Sequence, residues 1–128
     1  MESSQPFSGN MLLVLQHARE DTLRHVQTCD ECCSLSADLK EIPNTLVQLV
    51  ALRVLTDKVD TIDRKFAKLV CSEEEPISQM GFRRSRHNTK RTAIIDSMQL
   101  LITPLQEKKL ANPKDFKKFD TMAHCIFP

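Results

Sequence analysis

Only two glycines, Gly9 and Gly81, serve the whole chain. Sheets joined by tight hairpins need glycine at positive-φ turns, so this scarcity points to helices. It also excludes a P-loop, a dinucleotide-binding fingerprint and a G-x-S-x-G nucleophile elbow, each of which needs several backbone positions without a Cβ. Trp and Tyr are absent and Phe is the only aromatic, which leaves few π-faces on which single-stranded bases or sugars stack. Charge of one sign is lacking too: the formal net charge is +1, so no long-range field marks the protein as a polyanion binder, and any electrostatic function is local.

Long apolar runs are missing as well. Met11 to Leu15 is too short for a membrane span or a signal-peptide core, and Met1 to Pro6 carries no basic lead. The five cysteines, Cys29, Cys32, Cys33, Cys71 and Cys125, form an odd set. With no secretory signature they are expected to be reduced thiols in an intracellular protein, cytoplasmic or nuclear, rather than a disulfide framework.

What is present suffices for one folded domain over 1–128. Apolar residues make up 41% and charged residues 27%, away from the composition at which chains stay disordered. Ser8-Gly9-Asn10 precedes Met11-Leu12-Leu13-Val14-Leu15, and the helical pattern continues through Ala18, Leu23 and Val26, predicting a helix over 10–28. A weaker pattern predicts a short helix over 31–41. Ile42-Pro43-Asn44 then interrupts the chain.

The clearest signal follows. Thr45 with Gln48 has capping-box spacing, and Leu46, Leu49, Leu52, Leu55, Val59, Ile62, Phe66 and Leu69 recur at steps of three and four residues, predicting a helix over 44–72 with a coiled-coil-like seam. Glu73-Glu74-Glu75-Pro76 should stop it, since acids oppose the dipole at a helix C-terminus. Pro76, Gly81 and a polar run predict a basic linker over 76–89. A helix over 90–111 should kink at Pro104, and Asn112-Pro113 should cap a last helix over 113–124. The expected fold is all-α: a small bundle of four to five helices around one longer central helix.

Three constellations carry possible function. Leu49, Leu52, Leu55, Val59, Ile62, Phe66 and Leu69 form an apolar stripe, widened by Leu46, Val47, Val50, Val54 and Val70. Such a stripe suits either a helix buried in its own bundle or a helix that pairs with another copy or a partner protein, with Lys58 and Asp63 at flanking positions to set register. Arg83, Arg84, Arg86, Lys90 and Arg91 lie within nine residues that hold no acid. They suit contact with nucleic acid, an acidic partner or an import receptor, or simply a solvated linker.

The third constellation is His25, Cys29, Cys32 and Cys33. On a continuing helix the first three stand at i, i+4 and i+7, so soft ligands converge as zinc requires, with a fourth conceivable from Cys71, His87, His124 or Cys125. Buried thiols acting as small hydrophobes are the plainer alternative, because no second knuckle or His pair accompanies the cluster. Zinc is thus the one cofactor the residues suggest.

No pattern couples His17, His25, His87 or His124 to a nucleophile and an orienting carboxylate. The expectation is a non-enzymatic interaction, adaptor or oligomerisation module acting through 44–72, with no small-molecule substrate and no membrane span. The competing expectation is a nucleic-acid-binding cofactor of a polymerase or nucleoprotein assembly that uses the basic segment.

Overall fold

The computed structural model describes residues 9–37, 41–71 and 77–127. They form α1 (Gly9–Thr28), α2 (Asp30–Leu35), α3 (Asn44–Cys71), α4 (Ile77–Ala111) and α5 (Pro113–Ile126). No strand occurs among the described residues, and the helices pack on one another as a small all-α bundle. None of them is long and apolar enough to cross a membrane.

Local chemistry accounts for most boundaries. α1 breaks at Cys29, whose φ of −98° and ψ of 119° are extended; this residue is also the N-cap of α2. α2 stops at Leu35, short of the predicted 31–41, and Ser36 follows as its C-cap. The Ser36 hydroxyl donates to the Cys33 carbonyl at 3.2 Å, one of the local side-chain bonds by which serine competes with helix continuation. Residues 38–40 of that predicted helix lie outside the described residues, as does the Glu73-to-Pro76 stop. α3 begins at Asn44, so Thr45 sits inside the first turn and not at a cap. α5 starts as its sequence requires: the Asn112 side-chain oxygen accepts from the Asp115 amide at 3.2 Å, and Pro113 occupies the first turn.

The basic linker predicted over 76–89 is not a linker. Residues 77–89 are the first turns of α4, which runs unbroken to Ala111 instead of starting near 90. Gly81 sits in this helix with a non-positive φ and open space where a Cβ would stand. The surrounding Met, Gln, Arg and Lys residues are good helix formers, and α3 supplies an apolar face for the helix to lie on. Pro104 also lies inside α4. It removes one amide donor, while Leu101 and Leu105 are buried on either side and pin the helix to the core.

α3 and α4 run antiparallel and give the molecule two regions. In the body, the N-terminal half of α3 is wrapped by α1, α5 and the C-terminal half of α4, with α2 packed on α1 and α5. Here lie Met11, Ala18, Cys32, Leu46, Val47, Leu49, Val50, Ala51, Leu55, Leu101, Leu105, Met122 and Ala123, all buried in one cluster. Thr22 is buried with them, its hydroxyl donating to the Ala18 carbonyl at 2.6 Å. Arg53 closes the far side by donating to the Phe127 carbonyl, with His124 Nε2 3.3 Å from its guanidinium. Among the described residues, the stretch of α3 beyond Val59 packs on the start of α4 as a two-helix arm. At about 1.5 Å rise per residue, the 35 residues of α4 span about 52 Å, enough to serve both regions.

Candidate functional site

The predicted apolar stripe is divided between the two regions. Leu49, Leu55 and Val59 are buried in the chain's own core, and Leu52 packs half-buried against it. Ile62, Phe66 and Leu69 lie in the arm and keep part of their surface open. Lys58 is exposed. Asp63, expected to set register with another helix, instead meets α4 of the same chain: His87 Nε2 stands 3.0 Å from Asp63 Oδ1, and Arg91 Nε donates to Asp63 Oδ2 at 3.3 Å. The His87 contact is close but lacks hydrogen-bond geometry, for Asp63 Oδ1 gains no hydrogen bond among the described residues. The His87 ring stacks on Phe66 with centroids 4.4 Å apart and planes 11° from parallel.

This stack forms part of a shallow groove of about 220 Å³. Ile62, Phe66 and Leu69 supply its apolar part, while Lys65, Arg83, Arg86 and Lys90 bring four cations. Of the five basic residues singled out in sequence, Arg83, Arg86 and Lys90 reach the groove, Arg91 is engaged by Asp63, and Arg84 is exposed outside the lining. Lys65 and His87 join them without having been expected there. Their signal was available: Lys65 precedes Phe66 in the seam, and His87 lies seven residues from both Met80 and Ile94. Near the arm's end Phe82 is 67% exposed and Val70 46% exposed, with the Arg86 guanidinium 6.0 Å from the Phe82 ring centre.

The second cluster lies in the body, where α1, α2 and α5 meet. The potential ligand atoms of His25, Cys29 and Cys32 all lie within 4.8 Å of one another. The break at Cys29 does not scatter them, because hydrogen bonds continue across it: Cys29 N donates to His25 O and Cys33 N to Cys29 O, both at 2.8 Å. Cys33, the fourth predicted ligand, points elsewhere; it is exposed and its thiol donates to the Val26 carbonyl at 2.6 Å. Cys125, from the last turn of α5, borders the cluster without joining the mutually close set, its Sγ 3.4 Å from Glu31 Oε2.

Electrostatics in this cluster are those of crowded sulfur. Burial first, then the neighbouring thiols of Cys29 and Cys125, push the Cys32 thiol up to about 12. Burial and the Glu31 carboxylate raise Cys125 as well. Cys32 is thus hard to ionise beside its neighbouring thiols, and a cation among them would relieve that. His25 Nε2 is buried and has no hydrogen-bond partner among the described residues.

Comparison with known protein families, with characterised proteins and with solved structures finds no match to this chain.

Proposed function

We propose that this chain is a non-enzymatic binding module that holds an acidic, apolar-anchored segment of a partner protein in the groove of its two-helix arm. The observation that carries this reading is the groove itself, with Ile62, Phe66 and Leu69 as apolar floor and Lys65, Arg83, Arg86 and Lys90 as cations around it. An amphipathic helix with leucine-type anchors and flanking Glu or Asp matches both features, in the helix-in-groove mode. Buried apolar contact supplies affinity, and the cations supply encounter rate and orientation.

Self-association through the same groove is the poorer fit. A symmetric pair would set the cations of one copy against those of the other, with like charges opposed over a half-open interface. Nucleic acid would use the cations and leave the apolar floor facing phosphates. Chemistry is also poorly served: Asp63 and His87 resemble the orienting half of a triad, yet the groove-lining residues include no hydroxyl or thiol.

A synthetic helical peptide with Leu at i, i+3, i+4 and i+7 and Glu between them tests the proposal when titrated into the labelled full chain. Amide shifts concentrated at Ile62, Lys65, Phe66, Arg86 and Lys90, lost in a Lys65→Glu/Arg86→Glu/Lys90→Glu variant, are the expected result. Equal response to a lysine-substituted peptide, or tighter salt-dependent binding of a single-stranded oligonucleotide, would overturn it.

A further inference from the structure

The groove leaves unused the cluster of sulfur and imidazole at the other end of the molecule. We propose that His25, Cys29, Cys32 and Cys125 form a closed, structural zinc site that fastens the end of α5 to the α1–α2 junction.

Donor chemistry favours zinc among the common ions. Three thiolates and one imidazole are a familiar structural set for Zn²⁺, and they leave no open position for water or substrate. Bond lengths of about 2.3 Å to sulfur and about 2.0 Å to nitrogen put tetrahedral ligand atoms about 3.5–3.8 Å apart. The mutual separations within 4.8 Å of the His25, Cys29 and Cys32 atoms need only a small inward movement to meet that geometry. Cys29 and Cys32 have C-x₂-C spacing, with the break at Cys29 turning its side chain toward Cys32. Cys125 stands outside that mutually close set, its Sγ 3.4 Å from Glu31 Oε2 at the edge of the cluster, and must leave Glu31 and turn inward to complete the four.

Two independent observations point to the same site. His25 Nε2 is a buried polar atom without a hydrogen-bond partner among the described residues, a position that ordinarily needs explanation. The second is α2, which spans six residues and has Cys32 as its single fully buried side chain. A helix this short does not hold itself, and its one deep anchor is a ligand. With the metal bound, the site carries net charge −1, so Glu31 stays outside the ligand set and its carboxylate swings away from Cys125.

Cobalt substitution under a phosphine reductant tests the site in the full chain. One equivalent of Co²⁺ should bind with the intense visible bands of a tetrahedral ion and thiolate-to-cobalt charge transfer, and one equivalent of Zn²⁺ should displace it. Cys125→Ser should weaken zinc by more than the roughly 10–100-fold typical of losing an outer-shell partner, whereas Cys33→Ser, Cys71→Ser and Glu31→Gln should leave stoichiometry and spectrum unchanged. Cys125 is half-buried, so its variant can be checked for folding by circular dichroism before titration. Absence of stoichiometric binding by the folded wild type overturns the site. An unaltered spectrum in folded Cys125→Ser overturns its fourth ligand. Neither outcome bears on the arm groove, which shares no residue with the cluster.

Discussion

The body and the arm are built from the same two helices, yet only one of them closes. Through the body α3 is enclosed on several sides, and Leu46, Val50 and Ala51 are at most 1% exposed. Past Val59 the seam continues in the same rhythm, but among the described residues it meets α4, and no described residue of α3 beyond that point is buried. Continuity of an apolar pattern therefore does not measure continuity of a core. Burial depends on how many neighbours arrive, and in this chain α1, α2 and α5 all arrive at one end.

Paired truncations test that contrast most strongly. Leu46→Ala and Leu101→Ala, both in fully buried positions, should each destabilise by about 2–5 kcal/mol in urea unfolding. Leu69→Ala in the arm should cost about 1 kcal/mol, because its side chain already keeps solvent on one side. Equal losses at the two ends would mean that the arm is covered in solution. Next in size, Asn112→Ala removes the cap that seats α5 against the body and should cost about 1 kcal/mol in thermal unfolding, without changing arm protection in amide exchange. A loss of protection shared by both regions would show that they open as one unit. The smallest effect is expected for Asp63→Asn in the arm. Its carboxylate is 38% exposed, so losing the contacts to His87 and Arg91 should cost under about 1 kcal/mol, and less at high salt.

Much of this architecture is legible from residue spacing. α1 follows its apolar periodicity and the starts of α3 and α5 fall where Pro43 and Asn112-Pro113 put them, whereas α5 runs on to Ile126, two residues past the expected 124. The misread stretch, 76–89, is instructive because the pattern was there. Met80, His87, Ile94 and Leu101 stand seven residues apart and all turn inward, the first three half-buried and Leu101 fully. A histidine in the seam, with Arg83 half-buried beside it, hides the rhythm from any reading that counts only apolar residues. His87 is acceptable there because its ring stacks on Phe66 while its nitrogen reaches Asp63. A different limit applied to the Cys/His cluster. Spacing located His25, Cys29 and Cys32, but choosing Cys125 over Cys33 required knowing that a helix 94 residues beyond Glu31 folds back upon it. Tertiary proximity of that kind has no local signature.

The arm is joined to the body by two unbroken rods rather than by a loop. α3 and α4 each pass from one region into the other without leaving helical geometry, so there is no pivot at which the groove can swing. Whatever docks there is held at a constant bearing and distance, as on a bracket. A modest tilt of α4 where Leu101 and Leu105 seat it would be magnified toward Phe82, making the orientation of the cargo a readout of how firmly the far end is packed.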